Sequence, residues 1–157
     1  MDNILEILLD DEVDKLRALV QSGQLLVNTA DKKDGRSLLQ RATSANAPRI
    51  VTFLLDSGAS LDQRNRWGMG ALSNAARAGR VQFVRQLLRA GADVNDGDLK
   101  GFTALHHVLL TNRVEAGELI QILLQAGADP DRRDNAGLSP RDMVRERIST
   151  DLAKYFE

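Results

Sequence analysis

The chain of 157 residues is predicted to fold as an all-α solenoid, a row of stacked helix-turn-helix units joined by short finger turns, and three observations lead there. Gly35, Gly68, Gly101 and Gly137 recur at intervals of 33, 33 and 36 residues, and a second series, Gly23, Gly58, Gly91 and Gly127, keeps step with them. Leucine pairs at 54–55, 87–88 and 123–124 each precede a Gly-Ala by three residues. The apolar positions between the glycines have helical spacing, not the alternation of a strand. A period of this length describes a helix pair that cannot bury its apolar face alone, so neighbouring units must supply the core.

The units follow in order as one domain, residues 1–157. Residues 1–30 carry two apolar stripes (Ile4, Leu5, Leu8; Val13, Leu16, Leu19, Val20) with no glycine turn before them, and read as an N-terminal capping unit. The segment 24–28 is one residue longer than its counterparts after Gly58, Gly91 and Gly127. In the unit 31–63, Ser37 stands two residues after its glycine, where a hydroxyl can cap a helix, and Pro48 suits the start of the second helix. Ser, Thr and Asn across residues 39–48 lower helix propensity, so this unit is expected to be the weakest.

In the unit 64–96, Leu72, Ala75 and Ala76 form a small-residue first helix, and Val81, Phe83, Val84, Leu87 and Leu88 a second, with Gly91 suited to the left-handed position that ends it. Thr103 repeats the cap in the unit 97–132, which carries three extra residues around 111–117, and a longer loop is expected there. Residues 133–157 have Ser139 as a cap, replace the expected leucine by Arg141, and read as a C-terminal capping unit that keeps the end of the stack polar.

The segments Gly101-Phe-Thr-Ala-Leu-His106 and Leu87-Leu-Arg-Ala-Gly-Ala-Asp-Val-Asn95 resemble the ankyrin repeat, and the resemblance extends over essentially the whole chain. It implies a fold of paired helices with projecting fingers and a function in protein recognition, through positions flanking each repeat glycine and on the concave helix face. Those finger positions are here Lys33, Asp34 and Arg36; Arg66, Trp67 and Met69; Leu99, Lys100 and Phe102; and Asn135, Ala136 and Leu138. The concave positions are Ser44, Ala45, Arg77, Ala78, Leu110 and Thr111. The expected protein-binding set is Arg66, Trp67, Met69, Arg77, Leu99, Lys100, Phe102 and Leu110, with Trp67, Met69 and Phe102 as apolar anchors and Arg66, Arg77 and Lys100 fixing orientation. Exposed aromatic and Met side chains beside Arg have the composition of interface hot spots.

His106 falls where the ankyrin pattern places a histidine that ties neighbouring turns together, whereas His107 is expected to be a partly exposed helix residue. Adjacent helix residues point about 100° apart, so the two do not share a metal easily. Neither a phosphate-cradling Gly-x-x-x-x-Gly-Lys loop nor a Gly-x-Ser-x-Gly elbow is present, and Gly68-Met-Gly70 opens a repeat turn with no strand before it. Asp93, Asp129 and Asp131 recur with the repeat and make no acid–base pair. No catalytic residue, cofactor or metal is expected, and the chain is not expected to be an enzyme.

The net charge is −1 and the chain has no cysteine and no apolar run of the roughly 20 residues that span a bilayer. Residues 1–14 hold six acidic side chains and no basic one, which reads as a solvated capping face. Around the fingers Asp31, Lys32, Lys33, Asp34 and Arg36 total +1, and Asp96, Asp98 and Lys100 total −1. That balance offers no track for phosphates. The start, Met1-Asp2-Asn3, lacks a basic leader region. A soluble protein of a reducing interior, cytoplasmic and/or nuclear, is expected, bound neither to nucleic acid nor to a membrane.

The expected function is that of a non-catalytic protein–protein interaction module, a stoichiometric regulator or adaptor working as a monomer or within a hetero-complex. One alternative is an inhibitor or regulatory subunit of a protein kinase of the cell-cycle type. Gly35-Arg-Ser-Leu-Leu-Gln40 is similar to the start of the second repeat of the small ankyrin inhibitors of cyclin-dependent kinases. That family shortens the first helix there, whereas the spacing from Gly35 to Leu54 equals that from Gly68 to Leu87. A bacterial or viral ankyrin effector that binds host proteins is the other alternative.

Overall fold

A computed structural model describes residues 4–111, 114–147 and 150–157 of the chain. Its helices come in pairs: α1 (Ile4–Leu9) with α2 (Val13–Gln21), α3 (Leu38–Ala45) with α4 (Pro48–Asp56), α5 (Ala71–Arg77) with α6 (Val81–Arg89), and α7 (Ala104–Leu109) with α8 (Ala116–Gln125). Helix α9 (Pro140–Arg147) and a 3₁₀ segment, Thr150–Tyr155, complete the stack. The first helices form one continuous row, α1 against α3, α3 against α5, α5 against α7 and α7 against α9.

The core lies between this row and the second helices. Ile50 and Leu54 of α4, Phe83 and Leu87 of α6, and Ile120 and Leu123 of α8 are fully enclosed beside Leu39, Ala75 and Leu105. Each enclosed leucine or phenylalanine contributes about 1.5–3 kcal/mol by leaving water. Leu5, expected on the buried stripe of α1, faces solvent, and Ile7 packs beside Leu8 in its place.

Helix starts follow the hydroxyl pattern. Ser37 and Gln40 cap each other reciprocally at α3: the Gln40 N–H donates to Ser37 Oγ and the Ser37 N–H to Gln40 Oε1, both at 3.2 Å. Ser139 and Asp142 repeat the device at 3.2 and 3.1 Å. Helix α5 has Gly70 at its start and no side-chain cap. Pro48 opens α4, whose free N–H groups find a partner in another unit: Arg49 and Ile50 donate to the two carboxylate oxygens of Asp11 at 3.1 and 3.0 Å.

Polar residues of α3 are bonded to the next unit. The Asn74 amide donates to the Gln40 carbonyl (3.1 Å), Thr43 Oγ1 (3.2 Å) and Ser44 Oγ (3.0 Å). Both α3 and α5 end at a left-handed residue, Asn46 and Gly79, so the capping box at the start of α3 is what α5 lacks, and composition alone does not show it. The connection between α7 and α8, residues 110–115, is three residues longer than 78–80 between α5 and α6, and residues 112 and 113 within it lie outside the described residues. No helix among the described residues is long and apolar enough to cross a membrane.

Candidate protein-docking groove

The fingers are built from backbone chemistry rather than from side-chain packing at their tips. Asn65 Oδ1 accepts the N–H groups of Trp67 and Met69 at 3.0 and 3.1 Å, and Asp98 Oδ1 those of Lys100 and Phe102 at 2.8 and 3.0 Å. Asp134 does the same for Ala136 and Leu138 at 2.8 and 2.9 Å. Each acceptor stands three residues before a repeat glycine, and that glycine takes the left-handed conformation the turn requires, φ 76° at Gly68 and 80° at Gly101.

Neighbouring fingers are then joined through the main chain. Arg66 donates to the Asp34 carbonyl at 2.9 Å, Leu99 to that of Trp67 at 3.1 Å, and Asn135 to that of Lys100 at 2.9 Å. A Cβ on Gly68 would come within 2.8 Å of the Leu99 nitrogen, so the close approach of these two fingers depends on that glycine.

Between the fingers and the C-terminal ends of α5 and α7 runs a groove of about 570 Å³. All eight sequence-predicted residues line it: Arg66, Trp67, Met69, Leu99, Lys100 and Phe102 from the fingers, Arg77 from α5 and Leu110 from the end of α7. Their depths differ. Leu99 is 70% exposed, Leu110 54% and Trp67 46%, so apolar surface stands open at the rim, and the Arg66 guanidinium lies over the Trp67 ring at 4.3 Å. Met69 is only 7% exposed and belongs to the floor, which corrects the expectation of a protruding anchor. Its backbone explains the placement, since the Met69 carbonyl accepts the Gln40 amide at 2.7 Å and draws the residue under the turn.

Phe102 is half-buried, stacked on His106 at 5.5 Å and edge-on to His107 at 5.8 Å. His107, expected to be partly exposed, is 6% exposed and sits beneath the groove with Nε2 3.0 Å from Asp98 Oδ2. Burial pushes its imidazole below the ordinary histidine range against the opposing pull of Asp98. The groove-facing Asp98 thus has both oxygens occupied, one by finger N–H groups and one by His107.

His106 is fully enclosed and works as the repeat pattern implies. Its Nδ1 receives the Thr103 N–H at 3.2 Å and lies 2.9 Å from Thr103 Oγ1, while Nε2 faces the Leu138 carbonyl of the next unit at 3.3 Å. Gln40 occupies the same station in the earlier unit, with Oε1 on the Ser37 N–H and Nε2 donating to the Met69 carbonyl. The groove, the fingers and this row of bridging side chains describe a surface built to present apolar and cationic groups. Among the described residues no three acidic or histidine side chains are grouped to hold a metal ion.

The family model described as ankyrin repeats, three copies, matches residues 39–134. The chain is 37% identical over 102 residues to the ankyrin repeat domain-containing protein SAT10 of Stachybotrys chartarum, covering 65% of this chain and 5% of that protein. It is 32% identical over 137 residues to the ankyrin repeat protein FPV031 of Fowlpox virus, covering 84% of this chain and 40% of that one. Similarity also extends to the E3 ubiquitin-protein ligase Ufd4 of Drosophila melanogaster, 30% identical over 121 residues, covering 77% of this chain and 4% of the ligase. The chain therefore spans less than half the length of each of these relatives.

Proposed function

Because the chain belongs to the ankyrin-repeat family, whose general role is to bind other proteins, we propose that it is a non-catalytic module that docks a partner protein in the groove beside Trp67. It acts as a stoichiometric regulator or adaptor, by occupying or bridging that partner. The observation that carries the reading is the convergence of Trp67, Leu99 and Leu110, all open to solvent, on the rim of one groove whose backbone is already tied in place. A preordered surface spends little conformational entropy on binding, so a modest apolar patch can give useful affinity.

The finer alternative of a cyclin-dependent-kinase inhibitor draws no support from α3. That helix runs the full eight residues Leu38–Ala45 where the inhibitors shorten theirs.

The test is affinity capture from a lysate of the source cell with wild type and Trp67→Ala/Leu110→Ala, followed by mass spectrometry. Both side chains are exposed, so the variant keeps its circular dichroism; Phe102 is left intact because it packs on the two histidines. A protein held by wild type and lost from the variant supports the groove. Equal retention by both moves the interface elsewhere on the surface.

A further inference from the structure

The charges that cancel along the sequence separate in space. Asp31 and Asp96 do not line the groove: they pair with Arg41 at 3.6 Å and with Arg64. Asp98 is the single carboxylate among the described residues of the lining, and its oxygens are taken by two N–H groups and His107. Against it stand four cationic side chains, Arg36, Arg66, Arg77 and Lys100; the carboxylate of Asp34, 2.6 Å from Arg36, is not part of the lining, and Arg66 also donates to the Lys33 carbonyl at 3.5 Å.

The strip continues into a second depression of about 420 Å³, which shares Arg36 and Arg77, adds Arg80, and has no carboxylate among its described lining residues. Arg80 Nε is buried there with no hydrogen-bond partner. Because Nε itself is enclosed while the residue is only half-buried, the depression offers a partner's carboxylate the delocalised positive charge of the guanidinium, not this N–H.

We infer that the groove takes an extended acidic segment of the partner protein. A bulky apolar side chain enters over Met69, Phe102 and Leu110, and carboxylates on either side of it meet Arg66 and Lys100 at the fingers and Arg77 and Arg80 toward the second depression. This rests on the docking reading above and adds the chemistry of what docks. The charge of the strip runs against the net −1 of the whole chain, so it is a local feature suited to complementarity. Single-stranded nucleic acid fits it less well. One face of Trp67 is covered by Arg66 and the Phe102 ring is already stacked on His106, so successive bases find no run of open rings to stack on.

Trp67 is the sole tryptophan, which makes its emission a reporter located in the groove. The full chain is titrated with a labelled peptide bearing a central Phe-Leu flanked by Asp and Glu, with the same peptide after Asp→Asn and Glu→Gln exchange, and with oligothymidylate. The acidic peptide is expected to bind, to change Trp67 emission, and to weaken steeply with salt. The uncharged peptide should bind about tenfold more weakly, and Arg80→Gln/Lys100→Gln should cost about tenfold, the equivalent of one or two lost charge-assisted contacts. Arg66→Gln/Lys100→Gln, both exposed, repeats the test without touching the partly buried Arg80.

Equal binding of acidic and uncharged peptides, indifference to both variants, or tighter binding of oligothymidylate overturns the inference. Selection from a random displayed peptide library on the same chain separates the two levels. Neutral winners that shift Trp67 emission refute the acidic preference and leave the groove as a docking site. Winners that bind but never perturb Trp67 refute the docking site as well.

Discussion

Replacing Asp11 isolates the contact that fastens the first helix pair to the second. Its carboxylate caps α4 from another unit, receiving the N–H groups of Arg49 and Ile50 at 3.1 and 3.0 Å, where Ala47 offers no side-chain cap. Loss of such a cap costs about 1 kcal/mol, and loss of a negative charge at a helix start roughly 0.3–1 kcal/mol more. Asp11 also adopts φ 50°, a left-handed conformation that costs alanine roughly 1–2 kcal/mol and glycine almost nothing. Asp11→Ala should therefore lose roughly 2–4 kcal/mol, Asp11→Gly about 1–2, and Asp11→Asn, which keeps one acceptor and tolerates the backbone, less than about 1. Urea unfolding followed by circular dichroism and Trp67 emission reads these as midpoint shifts at unchanged slope. A loss below about 0.5 kcal/mol for Asp11→Ala would refute the cap, and equal losses for the Ala and Gly variants would refute the backbone contribution.

Two further outcomes are expected. Burial holds His106 below its ordinary pKa, against the pull of the Leu138 carbonyl, so the unfolded chain takes up the proton first as pH falls. Its contribution to stability is whole above about pH 6.5 and is lost below it, by at most about 2 kcal/mol at about pH 5; His106→Gln, which mimics Gln40, should make that limb shallower and leave the part due to buried His107, and an unchanged slope would contradict the assignment. Gly68→Ala should cost more than about 2 kcal/mol and shift Trp67 emission, because the new Cβ meets the Leu99 nitrogen at 2.8 Å. Gly58 has the same φ of 76° with nothing within 4 Å, so Gly58→Ala should cost only about 1 kcal/mol, and equal losses would dismiss the contact between fingers.

Much of the fold is legible in the sequence because each unit repeats the same local chemistry: glycine at a left-handed turn, a hydroxyl at a helix start, leucines on one helical face. The eight groove residues are legible for the same reason, since fixed offsets from Gly68 and Gly101 carry six of them to neighbouring fingers and Arg77 and Leu110 to the ends of α5 and α7. What a linear reading misses depends on direction in space. Met69 and Trp67 lie two residues apart, yet a carbonyl bonded to Gln40 sinks one while the other stays at the rim. His107 looks like a helix-surface residue until Phe102 packs edge-on to it and Asp98 meets its Nε2. A charge count cancels at the fingers because it cannot see Asp31 and Asp96 turn to Arg41 and Arg64. The cap that Asp11 gives α4 spans 38 residues and leaves no local signal.

The lengthened connection at residues 110–115 breaks the regularity of the array beside Leu110. In an ideal lattice of identical units, a displacement of one period restores the same surroundings, so a long ligand with its own periodicity could slide among equivalent positions. A dislocation removes that degeneracy. It gives the array an origin from which position along the stack can be counted, and under the proposed docking a ligand that touches Leu110 would have one register in which it fits.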